Sequence, residues 1–120
     1  MANLASRNHV ERVLAAAQAD GIGALLAIPV ADTLKRGAHC AVEETVDRSA
    51  LWAAQTPQVF RYGELCRALD AALSRHRIPT DESQAMEWMG RRPRLVEGSA
   101  RNLKITSSLQ LEIAEALLAS

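Results

Sequence analysis

A stretch of sixteen residues from Thr45 to Phe60, with the sequence T-V-D-R-S-A-L-W-A-A-Q-T-P-Q-V-F, contains side chains that could bind an anion. Arg48 has a planar guanidinium group whose donors match the oxygens of a phosphate. Thr56 precedes Pro57, and because a residue before proline is restricted to extended backbone, its hydroxyl is expected at a bend. These local features permit an anion site. Alone, they favour a simpler interpretation, in which Arg48 is a surface charge and Thr56 is a turn residue.

Basic side chains also cluster between Gly90 and Lys104. This segment has five basic residues (Arg91, Arg92, Arg94, Arg101 and Lys104) and one acid, Glu97. A local excess of positive charge can attract a phosphorylated ligand even when the whole chain is neutral. For the first three arginines, a solvated charged rim is the favoured interpretation. Lys104 lies between two apolar residues, so we expect its ammonium group at a structured edge, where it would act as a point charge on phosphate oxygens.

The composition excludes several classes of protein. The 120 residues carry 14 basic and 14 acidic side chains and a net charge of zero, which indicates neither a nucleic-acid nor a membrane partner. The sequence shows no signal peptide and no apolar run that could span a bilayer. Cys40 and Cys66 form no C-x-x-C pair and the three histidines lack metal-ligand spacing, so we predict a cytoplasmic protein with free thiols and no metal site. A chain of this length forms at most one domain, and its alanine-rich core should be marginally stable alone.

The first half of the chain predicts a helix, a buried strand and a projecting arm. Val10, Val13, Leu14 and Ala17 form one apolar stripe of a helix that would be capped by Ser6 or Asn8 and ended by Gly21 and Gly23. The apolar run 24–28 predicts a strand buried on both faces, as in a parallel sheet. Residues 32–46 are charged and poor in apolar groups, which predicts an arm made of two extended pieces with a turn at Gly37.

The second half predicts alternating helices and strands. We expect one helical turn at 49–54, an extended segment at 58–60, a helix over 62–76, a strand at 94–97, a short extended piece at 103–105 and a helix from Ser107 onward. A further helix begins near Thr80. With Asp81 as its cap, Gln84 falls at the third helical position and completes a capping box.

Four blocks of sequence together resemble a known family, the 2-C-methyl-D-erythritol 4-phosphate cytidylyltransferases. The first is the stretch 45–60 described above. The others read P-V-A-D-T-L-K-R at 29–36, T-D-E-S-Q-A-M-E at 80–87 and L-V-E-G-S-A-R-N-L-K-I-T at 95–106. They occur in the family's order but match only its C-terminal half. The resemblance implies an α/β fold, namely the C-terminal part of a three-layer α/β/α, nucleotide-diphospho-sugar-transferase-like (Rossmann-like) sheet. Residues 1–120 would form one partial domain, and 32–46 would be a β-arm that joins two subunits of a homodimer.

The resemblance also implies a reaction and a set of site residues. Such enzymes transfer a cytidylyl group from CTP to methylerythritol phosphate in the non-mevalonate route to isoprenoids, with Mg²⁺ expected beside the CTP. Arg48 and Lys104 would be the catalytic cations. Thr33, Thr56 and Thr80 would bind the acceptor, with Thr33 acting across the dimer. The aspartates of the matched blocks, Asp32, Asp47 and Asp81, are given structural roles only. Two anions meet in this reaction, so positioning and charge neutralisation should dominate catalysis.

Two expected segments are missing from the sequence. The family begins with a glycine-rich loop of the form L-A-A-G-x-G-x-R and later has a D-A-A-R-P segment. Here Gly21-Ile22-Gly23 follows a helix and precedes a strand, which is the reverse of the order that a phosphate-binding loop needs. We therefore expect this chain to supply the acceptor side of the site, to contain no identifiable metal ligands and to be inactive alone. The alternatives are a non-catalytic dimerising fragment and a related cytidylyltransferase that acts on ribitol 5-phosphate.

Overall fold

The computed structural model describes residues 7–102 and 115–116. Its elements, in chain order, are α1 (Arg7–Asp20), β1 (Ala24–Pro29), β2 (Leu34–Ala38), β3 (Ala41–Val46), β4 (Trp52–Val59), α2 (Tyr62–Ser74), α3 (Glu82–Trp88) and β5 (Arg94–Glu97). Strands β4, β1 and β5 form one sheet in that order, and β2 with β3 forms a separate two-stranded sheet. The α/β fold class is confirmed. None of the helices in the described part of the chain has the length and apolar character needed to cross a membrane.

Strand β1 is the centre of the molecule and is buried on both faces, as predicted. Ala24 and Leu26 pack against Val13 and Ala17 of α1. Leu25 points to the opposite face, because side chains alternate along a strand, and there it lies near α3. The sheet therefore lies between α1 on one side and α3 on the other. Strand β5 runs parallel to β1, as expected, but β4 runs antiparallel to it, which the apolar run alone did not predict.

The arm, residues 32–46, is an exposed antiparallel hairpin of β2 and β3. The prediction of two extended pieces is confirmed, but the predicted turn at Gly37 is wrong. Gly37 lies within β2 beside a bulge, and the chain reverses at His39 and Cys40, which have φ values of 51° and 63°. Two-residue turns with positive φ match the twist of paired strands, so the hairpin closes there even without a glycine.

The predicted helical turn at 49–54 is also wrong. The backbone N–H of Ser49 donates to Asp47 Oδ1 at 2.9 Å, and the N–H of Leu51 donates to the carbonyl of Arg48 at 3.1 Å, which forms a reverse turn. Strand β4 then begins at Trp52 and pairs with β1 through residues 52–54 and 58–59, with a break in the register between these two parts. Its second half contains Pro57, and the peptide bond between Thr56 and Pro57 is cis. Pairing with a distant strand thus overrides the local preference of 49–54.

The helices α2 and α3 follow their predictions closely. Helix α2 ends two residues earlier than expected, and its buried residue Ala68 packs with Ala85 and Met86 of α3. Asp81 caps α3 by accepting a hydrogen bond from the N–H of Gln84 at 2.8 Å. In a complete capping box, the side chain at the third helical position accepts a hydrogen bond from the N–H of the cap residue. Here Gln84 Oε1 accepts instead from the N–H of Thr80, one residue before the cap, at 2.8 Å.

The stripe predicted on α1 is only half covered. Val13 and Ala17 are buried, whereas Val10 and Leu14 are 42% and 44% exposed. The predicted cap at Ser6, the extended piece 103–105 with Lys104, and all but two residues of the helix expected from Ser107 lie outside the described residues.

Candidate functional site

An open cavity of about 790 Å³ lies between β4 and the start of α3, and Ala100 and Asn102 of the loop 98–102 also line it. We refer to it as the β4–α3 cavity. Thr56 and Thr80, two of the residues predicted to bind the acceptor, both line it, together with Gln55, Asp81 and Asn102. The structure therefore brings together two predicted residues that are 24 positions apart in the sequence.

Two polar side chains of this cavity have buried atoms without a partner. Thr56 Oγ1 and Asn102 Oδ1 are shielded from water, and neither makes a hydrogen bond within the part of the chain that the structure describes. Asn102 as a whole is only 6% exposed. Buried polar atoms are nearly always hydrogen-bonded in native proteins, so unsatisfied ones call for an explanation such as an absent ligand.

A network of side chains fixes the wall of the cavity that carries Thr80. Gln58 Nε2 donates to Asp81 Oδ2 at 3.1 Å, and Gln58 Oε1 accepts from the N–H of Ser83 at 3.3 Å. The Thr80 hydroxyl donates to Gln84 Oε1 at 3.2 Å. Because Gln58 lies in β4, these bonds hold the first turn of α3 against the strand. Asp81 thus has the structural role that the sequence assigned to it.

The other two predicted residues within the described ranges form a separate pair at the base of the arm. Arg48 Nη1 donates to Thr33 Oγ1 at 3.3 Å, and both residues are exposed. Neither lines the β4–α3 cavity. The structure therefore places Arg48 with Thr33 and Thr56 with Thr80, but it does not join the two pairs within one chain. Lys104 lies outside the described residues.

The charge of the cavity is unexpected for an anion site. Its only ionisable side chains within residues 7–102 are the carboxylates of Asp81 and Glu82, and no arginine or lysine of that range lines it. Arg91 and Arg94 instead form ion pairs with Glu64 and Asp20, at 3.6 and 3.4 Å, in keeping with a solvated rim. A phosphate bound in this cavity would therefore need positive charge from elsewhere.

Two carboxyl groups outside the cavity have shifted pKa values. The hydrogen bond from the backbone of Ser49 lowers the pKa of the Asp47 carboxyl below its ordinary value. The side chain of Arg67, which donates to Glu64 Oε1 at 2.8 Å, lowers the pKa of Glu64 in the same way. Within the described ranges, no group of three or more histidine, cysteine, aspartate and glutamate side chains could hold a metal ion.

Sequence reasoning missed Gln55, Gln58 and Asn102 as residues of the site. All three are uncharged amides, so charge patterns gave no reason to select them. A usable signal was nevertheless present, because Gln55 and Gln58 flank the selected Thr56-Pro57 pair and Asn102 belongs to another matched block.

The fold is similar to those of solved cytidylyltransferase structures. A 2-C-methyl-D-erythritol 4-phosphate cytidylyltransferase from Thermus thermophilus is 38% identical with a TM-score of 0.88, over 98% of this chain and 57% of that one. A cytidylyltransferase of the same description from Francisella tularensis is 32% identical with a TM-score of 0.87, over 93% of this chain and 53% of that one. The fold is thus that of the nucleotidyltransferase-like α/β proteins.

Within that class, the chain belongs to the 2-C-methyl-D-erythritol 4-phosphate cytidylyltransferase family, whose sequence profile matches residues 2–120. A relative of this description from Pseudomonas fluorescens (strain Pf0-1) is 52% identical over 108 residues, which are 89% of this chain and 46% of the relative. One from Ralstonia nicotianae is 52% identical over 116 residues, with 92% and 45% coverage. The chain therefore spans about half the length of the relatives it matches. The family resemblance seen in the four sequence blocks is confirmed.

Proposed function

We propose that this chain supplies the acceptor-binding part of an enzyme that transfers a cytidylyl group from CTP to 2-C-methyl-D-erythritol 4-phosphate, in the formation of isoprenoid precursors. The observation that carries the proposal is the β4–α3 cavity, which Thr56 and Thr80 both line, together with a Thr56 hydroxyl that makes no hydrogen bond among the described residues. A polyol phosphate offers hydroxyl groups and phosphate oxygens, and threonine hydroxyls can donate to or accept from both. Membership of the family supports the choice of substrates.

The proposed reaction joins two anions. An oxygen of the acceptor phosphate forms a bond to the α-phosphorus of CTP, the bond from that phosphorus to the bridging oxygen breaks, and pyrophosphate leaves. Positive charge must lower the repulsion and stabilise the charge that develops on the α-phosphoryl group. We assign this role to Arg48 and Lys104. Mg²⁺ would accompany the CTP, and among the described residues no group of three or more histidine, cysteine, aspartate and glutamate side chains could hold it.

Within one chain, Arg48 and Thr33 lie apart from the cavity that Thr56 and Thr80 line, so we propose that the site is completed in a homodimer. Arg48 and Thr33 lie at the base of an exposed arm and outside the cavity of their own chain. The cavity in turn has no cation among the residues described. If the arm of one chain reached the cavity of a second copy, Arg48 and Thr33 would meet Thr56 and Thr80. We place this assembly in the cytoplasm, with no nucleic acid or membrane involved.

The experiment is a reconstitution assay. The 120-residue chain is mixed with a polypeptide that carries the first half of the Pseudomonas fluorescens relative, and formation of CDP-methylerythritol is followed. We expect turnover from the mixture and none from the chain alone. Arg48→Ala and Lys104→Ala should each lower turnover by about two to three orders of magnitude, whereas the exposed Arg75→Ala serves as the matched control. Near-normal rates for both variants, or rapid turnover by the chain alone, would contradict the proposal.

Two alternatives have their own tests. The exposed arm also fits a non-catalytic module that only dimerises, and this would be supported by a dimer in light scattering together with no turnover in the mixture. A monomer at high concentration would count against any role of the arm in assembly. Competition between methylerythritol phosphate and ribitol 5-phosphate would show which polyol phosphate the cavity prefers.

A further inference from the structure

Two amide side chains join the strand that carries Thr56 to the loop 98–102. Asn102 Nδ2 donates to the carbonyl of Thr56 at 2.7 Å and to Gln55 Oε1 at 3.4 Å. In return, Gln55 Nε2 donates to the carbonyls of Ser99 and Asn102, at 3.0 and 3.4 Å. Every bond of this amide pair crosses between β4 and the loop, so the pair sets the position of Thr56 relative to the far end of the cavity.

The loop has room for the Gln55 side chain because residue 98 is a glycine. Gly98 lies so close to Gln55 that a Cβ atom placed on Gly98 would be 2.5 Å from Gln55 Oε1. Real Cβ atoms do not approach an oxygen this closely, so an alanine at position 98 would push the Gln55 amide aside. The same Cβ would be 3.5 Å from Leu26 Cβ, which is ordinary contact. The glycine is therefore needed for the position of Gln55 and not for the packing of the core.

The chemistry of the two unpartnered atoms identifies the group that they would bind. Asn102 Oδ1 can only accept a hydrogen bond, whereas the Thr56 hydroxyl can donate or accept. A phosphate dianion has no hydrogen to give to an amide oxygen. A hydroxyl group can donate to Asn102 Oδ1 and accept from Thr56 Oγ1 at the same time. Both atoms are shielded from water. A ligand hydroxyl would reach them after the Thr56 side chain rotates toward the cavity that both residues line, a movement that leaves the bonds from Asn102 Nδ2 to the Thr56 carbonyl and to Gln55 in place.

We propose that Asn102, positioned by Gln55, selects the acceptor by one of its hydroxyl groups, and that its partner in this recognition is the hydroxyl of Thr56. The inference rests on the proposed function, because it takes the β4–α3 cavity as the acceptor site. It adds a specificity-determining residue, Asn102, and a positioning residue, Gln55. In this proposal the amides recognise the polyol part of the acceptor, whereas the cations Arg48 and Lys104 bind its phosphate.

The test compares two ligands by isothermal titration with the 120-residue chain: 2-C-methyl-D-erythritol 4-phosphate and inorganic phosphate. Loss of one buried hydrogen bond costs about 1.4 kcal/mol, so Asn102→Ala should weaken binding of the polyol phosphate about tenfold. It should change binding of inorganic phosphate less than about twofold, since that ligand has no polyol hydroxyl. Gly98→Ala, which displaces Gln55 without opening the core, should weaken only the polyol phosphate as well. Gly63→Ala, whose nearest neighbour would be Arg67 Nη1 at 3.9 Å, is the matched control and should bind both ligands normally.

The outcomes separate the two proposals. Binding of the polyol phosphate by the unaltered chain, with the selective losses above, supports the inference. Equal losses for both ligands, or no loss in Asn102→Ala and Gly98→Ala, would overturn it while leaving the proposed function in place. If the unaltered chain bound no polyol phosphate, the proposed function would fail and the inference with it. Unchanged thermal unfolding of Gly98→Ala verifies that any loss of binding does not come from unfolding.

Discussion

Replacement of Asp81 by alanine should reveal how the wall of the cavity is held in place. Asp81 accepts two hydrogen bonds through different oxygens: Oδ1 from the N–H of Gln84 at 2.8 Å and Oδ2 from Gln58 Nε2 at 3.1 Å. The first caps α3, and the second ties that helix to β4. Alanine removes both bonds, whereas asparagine can keep the cap, because asparagine is as good as aspartate at a helix N-terminus.

The expected magnitudes follow from these two bonds. Loss of an N-terminal cap costs about 1 kcal/mol, and loss of a part-buried hydrogen bond to a charged group costs about 1.5 kcal/mol. Asp81→Ala should therefore lower the free energy of unfolding by about 2 to 3 kcal/mol. Asp81→Asn should lower it by about 1 kcal/mol, because the amide that replaces Oδ2 faces the donor of Gln58. Urea unfolding of the 120-residue chain, followed by circular dichroism, measures these differences.

Two comparisons make the result decisive. Asp70→Ala changes an exposed aspartate of α2 and should shift stability by less than about 0.5 kcal/mol. Combining Asp81→Ala with Gln58→Ala in a double-mutant cycle isolates the bond between these two side chains. The reasoning would be refuted if Asp81→Ala cost no more than Asp70→Ala, or if alanine and asparagine at position 81 gave equal losses.

Substitutions at three further positions test other contacts. The guanidinium of Arg77 lies 3.8 Å from the centre of the Trp88 ring, so Arg77→Ala should lower the free energy of unfolding by about 0.5 to 1 kcal/mol in urea titrations, and Arg77→Lys by less. Met86 is completely buried between α2 and α3, so Met86→Ala should cost about 2 to 5 kcal/mol in the same assay. Arg67 lowers the pKa of Glu64, so the stability contributed by that carboxylate is complete above its ordinary pKa and is lost as the pH falls through the lowered value. Glutamine cannot be protonated in this range. The free energy of unfolding of Glu64→Gln should therefore fall less than that of the unaltered chain as the pH is lowered, which urea unfolding at a series of acidic pH values would measure.

The sequence predicted those parts of the fold that depend on neighbouring residues. The cap of α3 needs only Asp81 and Gln84, three positions apart, and it forms as expected. The buried strand β1 is a short apolar run between Gly23 and Pro29, and its neighbours in the chain already define its ends. Such local signals are sufficient because the hydrogen bonds and the apolar periodicity that they describe lie within a few residues.

The parts that failed depend on contacts between distant segments. The residues 49–54 carry no local feature that forbids a helical turn. Residues 49–51 instead belong to a reverse turn, and 52–54 form the beginning of β4 because β1 pairs with them. Asn102 was missed for the same reason, since its bond to the carbonyl of Thr56 joins residues 46 positions apart. Thr56 and Thr80 were assigned to one site only because a family resemblance carries information about distant contacts that periodicity does not contain.

The distribution of charge in the structure favours a site that more than one chain completes. A cavity for a phosphorylated acceptor should contain cations, yet the described part of this one contains amides, hydroxyls and the carboxylates of Asp81 and Glu82. Carboxylates alone would repel a phosphate, so the cavity as described suits the polyol end of the acceptor better than its anionic end. Arg48, meanwhile, is exposed at the base of an arm with only a threonine hydroxyl as its partner among the contacts described. Within the described residues, the Arg48 guanidinium has no anionic partner and the β4–α3 cavity has no cation. This complementarity is the physical reason for our proposal that the two meet across two copies of the chain.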